Sequence, residues 1–351
     1  MRKMKQLLAA GLMMSMIAAT SAGTSVFAST PEVVETNEST KTESSKETAQ
    51  KVMDQYQKIE GIDSEKTILG ADFSHYQQNV GWNKVWKDYK GNAVNNLFSY
   101  VKTQGINTDN LVVDPEVHTT LAFVHTKKDG DREFSFYRNP GADMMLRWEE
   151  VQQEKLAQTR IFHFGTLSMT HEQVKDATQR AVQHAKKEGA LISFDPNLRP
   201  PLWNSLEDAA RQMWYGIGQC DILKISDDEI AFLTGKKDID QGIAEILRKN
   251  RPILICATMG KHGSKAYYQG KSVFCEPFLR DGTIETTGAG DTFMACVLNA
   301  VLEKGLDSLT EDDLYEMLRF ANAASSIITT RKGALKVMPK REEIISVLTK
   351  E

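Results

Sequence analysis

Cysteine is scarce in this 351-residue chain, and its four copies, Cys220, Cys256, Cys275 and Cys296, lack the paired short spacing that marks a zinc site. They read as buried thiols, Cys256 as a small core residue in the apolar run Ile253-Leu-Ile-Cys-Ala257. An excess of either charge is also lacking, with 43 Lys and Arg against 47 Asp and Glu for a net charge of −4. The resulting pI of about 6.0 offers no general attraction to nucleic acid or an anionic membrane surface. The apolar run from Leu7 to Ala19 is too short to span a bilayer comfortably. Preceded by Arg2, Lys3 and Lys5 and followed by Val26-Phe-Ala28, it reads as a secretory signal over residues 1–28, with no membrane contact once cleaved. Residues 29–66 have few aromatics and much Ser, Thr, Glu and Lys, too little apolar surface to offset the entropy of ordering, and are expected to form a disordered linker.

What remains is long enough for one large α/β domain that needs neither disulfide nor metal for stability. Apolar strands are expected at 161–164, 191–194, 222–225 and 253–257, alternating with helical patterns such as 171–188 and 206–217. That alternation predicts a parallel sheet with helices on both faces, which binds ligands beyond the carboxyl ends of its strands. Upstream, a helix is expected from Val94 to Gly105 and a strand starting over 111–113. The alternating runs 121–126 and 133–138 around Lys127-Lys-Asp-Gly-Asp131 signal a hairpin.

The stretch Asp281-Gly-Thr-Ile-Glu-Thr-Thr-Gly-Ala-Gly-Asp-Thr292 places a carboxylate just after three small residues where a helix should begin. Backbone N–H groups of Gly288, Ala289 and Gly290 would converge on an anion there, with the helix dipole adding positive charge. Asp291, first in the helix, could accept the proton of an attacking hydroxyl while the amides hold charge on phosphoryl oxygens. Glycines in such turns often serve the turn alone. Asp195, Asn197 and Arg199 form a polar cluster after an apolar strand, fit either to hold the loop or to position phosphate and sugar.

These segments occur in one order with Leu223-Lys-Ile-Ser-Asp-Asp-Glu229, Phe320-Ala-Asn-Ala323 and Thr329-Thr-Arg-Lys-Gly-Ala334. Together with the stretches Asp114 to Val124 and Arg132 to Asp143, they resemble the ribokinase-type (PfkB) carbohydrate kinases, and within them the fructokinases, over about 91–351. The resemblance implies a ribokinase-like α/β fold with a small β lid over the sugar, and ATP-dependent phosphorylation of a sugar hydroxyl, fructose by default. It implies Asp291 as base, with Gly288, Ala289 and Gly290 as the anion hole. Thr258, Gly260 and Gly263 would lie along the nucleotide phosphates and ribose, Asn322 near the adenine, and Ser226 where the family more usually has Asn. Glu229 would order water around a Mg²⁺ on those phosphates, or simply start a helix. Arg138 and Asn139, in the strand next to the lid, are candidates for sugar contact or for a surface role. Glu285 replaces the Asp more usual at a position tied to a monovalent-cation loop, a departure that bears on K⁺ activation. The β lid is also where a homodimer of this family often forms.

Family members begin with a strand bearing an acidic sugar ligand and a Gly-Gly-x-x-x-Asn segment, and nothing here matches them. Residues 67–90 instead resemble the start of glycoside hydrolase family 25 lysozymes, with Asp72 and Ser74-His-Tyr-Gln77 matching the first barrel strand. No room follows for the later strand that carries that family's acidic pair. Three readings therefore stand: a sugar kinase impaired by the missing sugar-binding segment, a catalytically defective fusion of an exported lysozyme start to a kinase body, and a secreted muramidase. Compartment is contradictory, since the signal predicts export and the kinase chemistry expects the cytoplasm.

Overall fold

The computed structural model describes residues 86–87, 93–94, 106–107, 109–126, 132–284, 286–331 and 337–350. The expected signal and linker, the lysozyme-like residues 67–85 with Asp72 and His75, and Glu285 lie outside them.

Apolar strands that are buried on both sides need cover on both sides, and here they obtain it. Strands β5 (Ile161–Gly165), β6 (Leu191–Asp195), β7 (Ile222–Ser226) and β8 (Leu254–Thr258) pair in parallel. Two antiparallel strands, β9 (Ser264–Tyr268) and β10 (Lys271–Cys275), extend the sheet beyond β8, so it is a mixed six-stranded sheet in plain sequence order. Crossovers are made by α2 (Glu172–Lys187), α3 (Leu206–Gln219), and the pair α4 (Asp227–Thr234) and α5 (Ile239–Lys249). The short α1 (Gln153–Ala157) precedes them, and α6 (Ala289–Lys304), α7 (Glu311–Ile328) and α8 (Arg341–Leu348) follow the sheet.

Alternation along the strands sorts the core into two layers. Phe164, Ile192, Phe194, Leu223 and Ile225 pack with Val182 of α2, Ile217 of α3 and Ile246 of α5. Ile161, Ile222, Leu254 and Cys256 face the other way, onto Val297 of α6 and Leu318 of α7. One glycine is dictated by this packing: a Cβ at Gly216 of α3 would sit 2.2 Å from the Phe194 ring. Helices α3 and α5 start on side-chain caps. Ser205 Oγ accepts from Asp208 N at 3.1 Å and Asp238 Oδ1 from Gln241 N at 2.8 Å.

Outside the sheet, β3 (Leu121–Thr126) and β4 (Arg132–Tyr137) form the expected hairpin, and β1 (Trp86–Lys87) pairs with β2 (Ala93–Val94). Two expectations fail. Val94 belongs to β2, not to the start of a helix, and residues 95–105 are not described. Residues 111–113 are irregular chain, because Val112 and Val113 stay exposed on a segment without a partner strand among the described residues. No helix of the described residues is long and apolar enough to cross a membrane.

Candidate active site

Register brings the polar residues together. Ser193 lies opposite Ile222 and Phe194 opposite Leu223. One step further, Asp195 at the end of β6 stands beside Lys224 of β7, on the face that carries α6. Lys224 Nζ donates to Asp195 Oδ2 at 3.0 Å and Oδ1 at 3.2 Å, and both residues are buried. Removing one partner of such a pair strands a buried charge and costs about 3–5 kcal/mol. Burial pulls the Lys224 ammonium down, but Asp195, Glu229 and Asp291 outweigh it and leave the group above the ordinary lysine value.

Helix α6 opens directly over this pair. Gly288 caps it at φ 78°, a left-handed conformation that suits glycine. The turn is fixed by Ala289 N donating to Thr286 O at 3.2 Å, by Thr292 N and Oγ1 donating to Gly288 O, each at 2.8 Å, and by Ser325 Oγ donating to Ala289 O at 3.0 Å. No side chain caps the helix, so its first-turn N–H groups, which have no intrahelical acceptor, present positive potential. Asp291 sits in that turn. Burial and then the Asp195 charge push its carboxyl above the usual range, while Lys224 and Arg199 pull it back. A carboxylate in that state is a better proton acceptor than a solvated aspartate.

The loop after β6 is tied to the start of α4 through Glu229. Its Oε1 accepts from Leu198 N at 2.8 Å, and its Oε2 accepts from Ser226 N at 2.9 Å. Ser226 Oγ in return accepts from Glu229 N at 3.3 Å, which completes a capping box. Each Glu229 oxygen thus already takes a backbone donor, the helix-start role weighed from sequence. Asn197 adopts φ 46° in this loop, and Arg199 NH1 donates to Leu198 O at 3.1 Å.

On the other side of the sheet end, Thr258 closes β8, and Gly260 at φ 53° and Gly263 at φ 92° make the turn into β9. A Cβ on Gly263 would meet Cys275 O at 2.4 Å, so this glycine is required by a chain crossing, whereas the space around Gly260 is open. Asn322 of α7 accepts from Ser264 Oγ at 2.9 Å and donates to Glu276 O at 2.9 Å and Cys275 O at 3.3 Å. Both amide hydrogens are thus engaged in joining α7 to the sheet, the packing role of a mid-helix Asn.

Arg138 is an anchor. Its Nε donates to Asp143 Oδ2 at 2.8 Å, NH1 to Thr170 Oγ1 at 2.7 Å and NH2 to Leu167 O at 3.0 Å, with the guanidinium buried. It pins the hairpin to the segment after β5, whereas the neighbouring Asn139 is exposed.

The sequence reading missed Lys224 and His163. Lys224 could have been noticed as a lysine inside Ile222-Leu-Lys-Ile225, an apolar strand buried on both faces. His163 of β5 pairs its Nδ1 with Ser193 Oγ at 2.9 Å, one row deeper in the sheet than Asp195. It carried no comparable signal. Among the described residues no group of three or more His, Cys, Asp or Glu side chains is placed to hold a metal ion.

The mixed α/β sheet thus sets a helix N-terminus without a side-chain cap, and a carboxyl held above its usual range, at the carboxyl ends of its parallel strands, where folds of this class bind ligands. Residues 90–341 match the family model of the pfkB family carbohydrate kinases, and the chain belongs to that family. It is a sugar kinase. Over 248 residues it is 42% identical to a probable fructokinase-2 from Arabidopsis thaliana, covering 71% of this chain and 74% of that one. Fructokinase-1 from Zea mays is 37% identical over 254 residues, 72% of this chain and 78% of its own. The solved fructokinase with bound ATP from Xylella fastidiosa superposes with a TM-score of 0.66 at 29% identity, covering 72% of this chain and 80% of that one.

Proposed function

We propose that this sugar kinase phosphorylates fructose with ATP. The observation that carries the chemistry is Asp291 in the uncapped first turn of α6, above the Lys224–Asp195 pair. The choice of fructose rests on the kinship with proteins named fructokinases.

In this reading Asp291 takes the proton of the sugar hydroxyl. The freed oxygen attacks the terminal phosphorus of ATP, the bond from that phosphorus to the bridging oxygen breaks, and ADP leaves. Of the amides expected to form the anion hole, those of Gly288 and Gly290 bear on the phosphoryl oxygens, Ala289 N being engaged by Thr286 O, where negative charge must be held without solvent reorganisation. The donor set fits an anionic nucleotide, with first-turn N–H groups beside Lys224 and Arg199. Mg²⁺ neutralises phosphate charge and keeps much of its water, so the phosphates, not a cage of carboxylates, would hold it. Gly260 offers open backbone at the β8–β9 turn for the phosphates or ribose. A homodimer through the hairpin belongs to this reading on the family resemblance alone.

The test is ADP release with fructose as acceptor. Asp291→Asn should lower kcat by roughly 10²–10⁴ with an unchanged melting temperature. Equal rates in variant and wild type would reject the assignment. Because the Asp291 carboxyl is held above its ordinary range, the acidic limb of the rate profile should lie above that of a solvated carboxylate, with rate lost as pH falls through it.

A further inference from the structure

The chemistry above uses Asp291 and the helix amides but leaves unexplained why a lysine is buried in the sheet below them. Lys224 occupies a strand position whose neighbours Ile222, Leu223 and Ile225 are fully buried and apolar. Its ammonium is bonded on one side to Asp195. On the other it lies under the first turn of α6, where a Cβ built on Gly290 would come within 3.0 Å of Nζ and 3.5 Å of Cε. Gly290 is not among the glycines at positive φ, so backbone conformation does not demand glycine there. The space its missing side chain leaves is taken by the lysine.

We propose that Lys224 is a positioning residue of the transfer site: its ammonium, bonded to Asp195 and filling the space under Gly290 that a side chain there would crowd, governs the electrostatic setting of Asp291. The charges around it fit this role. Asp195 of β6, Glu229 of α4 and Asp291 of α6 all act on Lys224, and Asp195, Lys224 and Arg199 all act on Asp291. His163 of β5, the remaining titratable neighbour, stays neutral near Lys224, because burial and then the lysine itself hold its imidazole down at about 4. Lys224 is thus the buried cation among three carboxylates, and it opposes the effect of Asp195 on Asp291.

The inference rests on Asp291 being the base, but it is tested without turnover. In the full chain, free of nucleotide, the Asp291 carboxyl is titrated by ¹³C NMR with labelled aspartate, Asp291→Asn supplying the assignment. Lys224→Met should raise the Asp291 midpoint and Asp195→Asn should lower it, each by on the order of one pH unit. The double variant, which leaves no unpaired buried charge, should return between them. If Lys224→Met alone fails to fold, Asp195→Asn against the double variant still isolates the lysine, and identical midpoints in those two would overturn the proposal. A purely structural ion pair would lower the melting temperature of each single variant and leave the midpoints in place. Gly290→Ala should destabilise the wild type more than it destabilises Lys224→Met, and an equal loss in both backgrounds would refute the crowding under Gly290. Absence of fructose phosphorylation by the wild type would overturn the choice of fructose alone, since none of these titrations needs turnover.

Discussion

At the scale of single residues, His163 shows how a neighbour's charge reaches stability. Burial first, and the Lys224 ammonium second, hold its imidazole at about 4, below the ordinary 6.5. The unfolded chain therefore takes up this proton before the folded one does. Stability from the neutral ring is complete above 6.5 and is lost as pH falls from there towards 4, where the folded form protonates as well. His163→Asn retains a polar partner for Ser193 and removes the titration. Urea unfolding at pH 7 and pH 5 should show the wild type losing more stability between the two than the variant does. Parallel losses would mean that the ring is not held neutral. The thiols belong to the same scale: burial drives Cys256 up to about 12, so it is no thiolate at neutral pH, as its apolar run in the sequence implied, whereas Cys296, expected to be buried, is half-buried, its thiol likewise pushed up to about 12.

At the scale of elements, α4 owes its start and its place to one carboxylate. Glu229 closes the capping box with Ser226 and also receives Leu198 N across the loop, so a helix start and the loop bearing Asn197 and Arg199 share an anchor. Glu229→Ala should cost about 3 kcal/mol in urea unfolding, the sum of a lost cap and a lost charge-assisted backbone bond. Glu229→Gln should cost about half as much, because its single carbonyl oxygen can serve only one of the two amides. A loss below about 0.5 kcal/mol for the alanine variant would place it with ordinary surface substitutions and sink this account. The elements themselves were legible because their signals are local. The strands expected over 161–164 and 191–194 and the helix over 206–217 differ from those observed by one or two residues at an end. The strand expected over 111–113 failed because strands need partners, and three apolar residues do not specify one. Asp291 was legible for the same local reason, a carboxylate after a small-residue turn. Lys224, Arg138 and Asn322 acquire their meaning from contacts made 29, 32 and 58 residues away, and residue type alone does not encode those.

At the scale of the molecule, the sheet is a gradient. The central strands β7 and β8 each have two neighbours, and Ile222, Leu223, Ile225, Leu254, Ile255, Cys256 and Ala257 are fully buried. The edge strand β10 has one neighbour, exposes Lys271, Ser272 and Phe274, and is followed by an irregular segment before α6. Charged and exposed side chains on an edge discourage pairing with another chain, and they also leave that edge the cheapest part of the sheet to open. Opening β10 breaks one ladder and little core, whereas opening β7 or β8 breaks two ladders and both apolar layers. Amide hydrogen exchange read on peptides spanning 222–226, 254–258 and 271–275 should therefore show β7 and β8 exchanging only through global unfolding, with β10 exchanging at least tenfold faster. Adding ATP and Mg²⁺ should slow exchange at 286–292 and 258–263, where the nucleotide is held in the proposed reading, and leave the β7 and β8 strand cores unchanged relative to global stability. Equal exchange in β10 and β8 would show that the sheet opens as one unit and would remove the gradient as an explanation for where the molecule yields. Protection by the nucleotide elsewhere than at these two turns would move the phosphate site away from α6.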